Sequence, residues 1–466
     1  MHASRILFIA AAMLLPACCL AAEKPNIVLL FADDAGYGDF GFQGSRHFKT
    51  PHLDKLAKSG VRLTQFYVSG ETCGPSRAGL LSGRYQQRFG YEEINVPGIM
   101  SSHSKLLGDE MGLPTHLKTM GNHLQDLGYR TAVFGKWHMG VADRYHPLRR
   151  GFDEFYGMRG GARSFFAYEN PNQTARENLI ERNFENYQEH DGYLTNAIAD
   201  EACEFIERNQ DSPFFAYVSF TAVHTPMQAD PNDKDSFPQL DGTRRTAAQM
   251  MLSMDRACGK ILDKLNALGV SENTLVVFTN DNGGPMDKNG SSNYPLSGVK
   301  GTQLEGGIRV PGIVSWPNKL KGDSVFDSPL ITLDLLPTFI AAGGGDPSKI
   351  DDLDGTNMLP FLQGDTSTLP HKTLHWKMET RGAIREGDWK LLRFPDRPAE
   401  LFDLAKDPAE QHDLARQHPE IVKRLFRSMF AWELELERPL FMLRRAEEGW
   451  SSRRTDQFRS PPAKKY

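Results

Sequence analysis

The run Asn26–Phe31 constrains this chain more than any other feature. Ile, Val, Leu, Leu and Phe follow Asn26 without a polar break. A strand this apolar cannot alternate between core and solvent, so it reads as a strand buried on both faces of a parallel sheet. Three more runs are strand candidates: Tyr129–Phe134, Phe214–Phe220 and Thr274–Thr279. Helical patterns lie between them, at Thr115–Leu127, Leu194–Asn209 and Ala247–Leu268. This alternation over residues 25–340 predicts an α/β domain whose central, mostly parallel sheet lies between helices.

The texture changes after about residue 368. Thr373–Lys377, Arg381–Arg385 and Trp389–Arg393 are short strand candidates separated by turn signals, and the helical pattern Ile421–Leu436 follows. We expect a catalytic domain over 23–367 and a smaller C-terminal α+β subdomain over 368–466 with a short antiparallel sheet. The basic, proline-bearing stretch from Arg444 onward reads as an irregular tail packed on the body.

Each clear strand runs into residues that can do chemistry. Phe31 leads to Asp33 and Asp34, Phe134 to Lys136 and His138, Phe220 to His224, and Thr279 to Asp281 and Asn282. Ligands of open α/β sheets bind beyond the carboxyl ends of the strands. Any one of these residues has an ordinary explanation as a cap or turn residue. Their shared position is harder to explain that way. Asp33, Asp34, Asp281 and Asn282 are hard oxygen donors, which suit calcium or magnesium better than zinc. Lys136 and His138, two apart, point the same way if their segment is extended.

The N-terminus has the form of an export signal over residues 1–22. His2 and Arg5 precede the apolar run Ile6–Leu15, and small residues follow up to Ala22. The run is too short to span a membrane, and no later segment is apolar for long enough. Cleavage after Ala21 or Ala22 is the preferred reading. Leu15 to Cys18 resembles a bacterial lipobox apart from Pro16, and would anchor the chain through Cys18. The destination is the periplasm or the exterior. With Cys18 and Cys19 in the signal, only Cys73, Cys203 and Cys258 of the five cysteines remain, too few for a disulfide framework. Cys203 and Cys258 sit in helical patterns and read as buried. Cys73 sits in a Gly/Pro/Ser stretch, where that reading fits poorly. The formal net charge of −5 lacks the basic excess of a nucleic-acid binder.

The residues around Cys73 carry a family resemblance. Cys73-Gly74-Pro75-Ser76-Arg77, followed by the small-residue stretch Ala78–Arg84, resembles the signature of the type I sulfatases. Other blocks match in order. Lys24–Asp34 resembles that family's opening strand and metal doublet. Gly128–His138 resembles its Lys/His block, and Thr279–Gly283 its second metal doublet. Gly298–Gly301 and Glu305–Pro311 resemble its late lysine block. Glu400–Leu404 with Asp407-Pro408 resembles its C-terminal domain. Two departures stand out. Val223 replaces Pro in the Pro-His-x-Pro block around His224, and Ser297 replaces the Arg that often precedes the late lysine block.

The resemblance implies the alkaline phosphatase superfamily and hydrolysis of sulfate esters. It implies that a formylglycine-generating or anaerobic sulfatase-maturating enzyme converts Cys73 to formylglycine. It implies one Ca2+ (or Mg2+) held by Asp33, Asp34, Asp281, Asn282 and residue 73. It gives Arg77 the task of bracing the hydrated aldehyde and His138 that of triggering sulfate release. Lys136 joins the catalytic set. His224 and Lys300 would grip the sulfate and the leaving oxygen, either one serving as general acid. Export and loop texture point to a sulfated oligo- or polysaccharide, with a marine galactan such as carrageenan first. Two loops, Gln86–His116 and Gly157–Asn172, are candidate sugar subsites, through Arg163 and His116 in particular. Phe165 and Phe166 have a competing reading as core residues. The rival functions are a phosphate or phosphonate ester hydrolase of the same superfamily and an inactive glycan-binding relative.

Overall fold

Ten of the strands named below form one path through a large sheet, and the all-apolar runs sit at its centre. A computed structural model of the chain describes residues 24–96, 99–444 and 449–461. The export signal expected over 1–22, with Cys18, lies outside them. The strands are β1 (Asn26–Ala32), β2 (Val61–Tyr67), β3 (Arg130–Lys136), β4 (Glu154–Met158), β5 (Glu181–Arg182), β6 (Asn186–Tyr187), β7 (Phe214–Ser219), β8 (Thr274–Asn280), β9 (Arg309–Ser315), β10 (Ser324–Phe326) and β11 (Leu330–Ile331). Their order is β10-β2-β9-β8-β1-β7-β3-β4-β5-β6, with β11 also on β2. The stretch β8-β1-β7-β3-β4 is parallel throughout. Every residue of β1, β7 and β8 is buried, as two-face burial requires. One apolar cluster fills each face of the sheet, with Ile27, Leu29 and Phe31 on one side and Val28 and Leu30 on the other.

The four strands singled out in the sequence, β8, β1, β7 and β3, are immediate neighbours. In register, Phe31 faces both Ser219 and Thr279, and Gly135 faces Ser219. Their carboxyl ends therefore open on one edge of the sheet. β9 runs antiparallel to both β8 and β2, so the sheet is mixed toward that edge.

A second sheet, β12 (Thr373–Met378), β13 (Arg381–Glu386), β14 (Trp389–Arg393) and β15 (Glu400–Asp403), is antiparallel throughout. The helix Pro419–Glu433 packs on it through Leu425 and Met429. Residues such as Leu374, Trp376 and Phe402 join the main apolar core. A buried ionic knot fastens the two sheets: Lys390 Nζ lies 2.8 Å from Glu305 and 2.9 Å from Glu410, and Tyr67 donates to Glu305 at 2.6 Å.

Two sequence readings need correction. The helix expected over Thr115–Leu127 is shorter, Met120–Asp126, because Thr119 and Asn122 form a reciprocal cap that starts it there. The tail expected to be irregular contains the helix Trp450–Gln457. Cys203 and Cys258 are buried, as expected. Among the described residues no helix is long and apolar enough to cross a membrane.

Candidate active site

Cys73 is the first residue of the buried helix Cys73–Ser82 and is itself 4% exposed. Thr72 caps that helix without a side-chain hydrogen bond. The helix start therefore keeps the donor capacity and positive dipole end that favour an anion. Arg77 lies one turn further along. Its guanidinium binds Asp281 at 2.9 Å and Ser219 at 2.6 Å, with Asp33 at 3.6 Å. Its hydrogen bonds hold the carboxylates and the strand ends.

The strand-end groups converge as the sequence predicted. Lys136 Nζ meets Asp33 at 2.6 Å, and Lys300 Nζ meets Asp34 at 2.7 and 3.0 Å. Lys300 also lies 3.9 Å from Cys73 Sγ. The Asn282 amide donates to Asp34 at 2.7 Å, and Asp281 accepts the Asp34 backbone N–H at 3.2 Å. Three carboxylates thus face three cations, all buried except Lys300, whose side chain is 15% exposed. Burial and the neighbouring Asp281 push Asp33 up to about 8. Lys300 and His224 hold Asp34 well below the usual carboxylate range despite its burial.

The donor set passes a simple test for a hard cation. Among the described residues Asp33 Oδ1 and Asn282 Oδ1 are buried without a hydrogen-bond partner, an arrangement that is costly unless something else satisfies them. Oxygen of carboxylate and carboxamide is what calcium or magnesium takes. His224 belongs near this group as well: ligand atoms of Asp33, Asp34 and His224 lie within 4.8 Å of one another.

The two histidines differ. His224 Nδ1 lies 2.7 Å from the Thr225 carbonyl, which only an N–H can satisfy, so Nε2 faces Asp34 at 3.5 Å. Burial and Lys300 push its pKa down to about 4, against the pull of Asp34. Both ring nitrogens of His138 are buried without hydrogen-bond partners among the described residues. Burial and the nearby cations hold its pKa well below the usual value. His138 has φ 58° and Asp34 has φ 60°, a left-handed conformation that non-glycine residues adopt at a cost and that clusters at functional sites. The condition on which Lys136 and His138 would point the same way, an extended segment, is not met at His138. The backbone turns after β3, and that turn delivers the imidazole.

Cys73, His138, His224 and Lys300 line one cavity of about 360 Å3 with Asn95, Arg159 and Asn178. A second cavity of about 300 Å3 adjoins it at Ile94, His224 and Lys300 and runs toward Met378, Leu443 and Trp450. Neither includes Arg163 or His116, the expected subsite residues. The Arg163 side chain is fully buried and pairs with Glu189 at 2.6 Å, while His116 is exposed. Phe165 is core, stacked on Tyr193, and Phe166 is half-buried beside it. Sequence reasoning missed Gly161. A Cβ there would stand 2.7 Å from His138 Nε2, so the imidazole needs a glycine beneath it.

The sulfatase family model matches residues 25–345. The chain belongs to the sulfatase family. The model of the N-sulphoglucosamine sulphohydrolase C-terminal region matches residues 300–434 of this sulfatase. Arylsulfatase H of Canis lupus familiaris is 32% identical over 84% of this chain and 87% of its own. N-acetylgalactosamine-6-sulfatase of Rattus norvegicus is 34% identical over 79% of this chain and 71% of its own. The crystal structure of Ps i-CgsB, also solved in complex with k-i-k-neocarrahexaose, is 34% identical with a TM-score of 0.84, covering 92% of this chain and 97% of that one. The enzyme is a sulfuric ester hydrolase of the alkaline phosphatase superfamily.

Proposed function

We propose that this sulfatase removes sulfate from a sulfated carbohydrate, a galactan such as carrageenan being the first candidate, with residue 73 as formylglycine and one Ca2+ in the oxygen-donor set. One observation carries this reading. Cys73 heads a buried helix, beside Lys300, in a cavity where four adjacent strands deliver their polar ends. The likeness to Ps i-CgsB, which binds a neocarrahexaose, supports the substrate class.

Hydrated formylglycine would supply two hydroxyls on one carbon, one to attack sulfur and one to let sulfate leave. Asp33, Asp34, Asp281 and Asn282 would hold the calcium, which when bound adds positive charge where the sulfate oxygens gather. Elemental analysis of active enzyme should give calcium, or magnesium in its place; stoichiometric zinc would contradict the donor set.

The chain's own residues supply the rest. Lys300, kept protonated by Asp34, grips the anionic ester. Neutral His138, which lines the same cavity as residue 73, would take a proton from it. His224 is neutral before substrate arrives. An ester anion beside it favours its charged form, so it can acquire the proton it passes to the leaving oxygen. Arg77 and Lys136 hold Asp281 and Asp33 in place.

The N-terminal signal supports export, and Cys73 implies a maturating enzyme in the same cell. We take 23–367 as the catalytic domain and 368–466 as the C-terminal subdomain. Sulfate release from a panel of sulfated glycans, with enzyme co-expressed with a formylglycine-generating enzyme, tests the reading. Turnover of aryl sulfates alone would overturn the carbohydrate assignment.

A further inference from the structure

The cavity beyond Lys300 has walls unlike those around Cys73. Ile94, Met378, Leu443 and the indole of Trp450 supply apolar surface. The indole closes against the loop that carries Lys300, and a Cβ on Gly301 would meet it at 2.2 Å. Glu93 also lines this cavity. It is 1% exposed, and among the described residues neither carboxyl oxygen has a hydrogen-bond partner.

Among the described residues the buried cations near Glu93 pair with other carboxylates, and Lys300 on the same cavity wall is held by Asp34 at 2.7 Å. Lys377 binds Glu92 at 2.6 Å, and Arg381 faces Glu71 at 3.6 Å. Arg454 is bidentate to Asp287 at 2.7 and 2.9 Å. Lys288 stands at the exposed rim, 3.7 Å from Asp287. A buried carboxyl without partners is expensive, and a ligand able to donate hydrogen bonds removes that expense.

Resting on the sulfated-carbohydrate reading, we propose that this cavity is a subsite for an uncharged, hydroxyl-bearing sugar ring next to the sulfated one, with Glu93 as its specificity residue. The indole and the aliphatic walls match the C–H face of a pyranose. A ring hydroxyl donates to Glu93. A second sulfate on that ring would instead face a group that gives it no cation and, when ionised, repels it. Specificity then comes from both an attractive and a repulsive element.

Sulfate release is measured for wild type, Glu93→Ala and Glu93→Gln on three probes. One is a sulfated oligosaccharide with free hydroxyls on the ring next to the sulfated one. The second carries an added sulfate on that ring, and the third is 4-nitrophenyl sulfate. Glu93→Ala should lose about tenfold or more in kcat/KM on the first probe, mainly through KM. Its preference for the first probe over the second should narrow, with Glu93→Gln intermediate. Its rate on the aryl sulfate should stay within about twofold. Its Tm should not fall, because the substitution removes an unpaired buried carboxyl. Equal losses on all three probes, a fallen Tm, or an unchanged oligosaccharide rate would overturn the subsite alone. Wild type that cleaves the aryl sulfate and neither oligosaccharide would instead overturn the carbohydrate reading on which the subsite rests.

Discussion

Lys300 Nζ lies 2.7 Å from Asp34 and 3.9 Å from Cys73 Sγ, so a single ammonium links the oxygen-donor cluster to residue 73. The loop that carries it is braced from outside the sheet. Arg454, on the helix Trp450–Gln457, donates to the Lys300 carbonyl at 3.0 Å, and Gly298 donates to the Phe458 carbonyl at 2.9 Å. Lys300→Ala should lower kcat/KM by roughly 10²–10³-fold, the scale of losing one charge-stabilising donor. Steady-state kinetics checks this, and a change below about threefold would remove Lys300 from the reaction.

Gly161 should tolerate no side chain. In Gly161→Ala the new Cβ, 2.7 Å from His138 Nε2, displaces the imidazole. A misplacement near 1 Å costs about 10²-fold in rate. The double variant with His138→Ala separates this from general damage. Once the imidazole is gone, Gly161→Ala should cause almost no further loss. Independent, multiplying losses would show that Gly161 acts elsewhere.

The knot between the sheets should make stability fall as pH rises. Lys390 is shared by Glu305 and Glu410, and burial pushes the Glu410 carboxyl up from 4.5 to about 7. Its proton therefore stabilises the folded state fully below about pH 4.5, and that contribution is lost as pH rises through about 7. Glu305 is shifted the other way, down to about 2, so its contribution changes only below pH 4.5. Glu410→Gln keeps an oxygen to accept the Glu305 backbone N–H. Between pH 5 and 8 the Tm of wild type should decline more steeply than that of Glu410→Gln. Parallel curves would mean that Glu410 is ionised throughout.

The sequence made the site legible wherever a strand end carried it. β1, β3, β7 and β8 are apolar enough to announce themselves, and the residues just past them are the ones that converge. It was less informative where position depends on distant chain. Arg163 looked free among aromatic residues, but Glu189, 26 residues on, claims its charge. Nothing in the local sequence marks Glu93, which is buried beside Met378 of the second sheet and Leu443 and Trp450 of the tail. Trp450 reaches the site only because the tail forms a helix, which its basic composition did not suggest. β2 and β9 flank the parallel core as an antiparallel pair, a reversal that alternation of strands and helices does not reveal.

The proposed chemistry turns on formylglycine at residue 73. Peptide mass spectrometry of the segment around residue 73, on enzyme co-expressed with the maturating enzyme, measures this directly against specific activity. The expected result is loss of the Cys73 thiol, gain of the aldehyde or its hydrate, and activity in proportion to the converted fraction. Fully active enzyme with an unmodified thiol at residue 73 would contradict it.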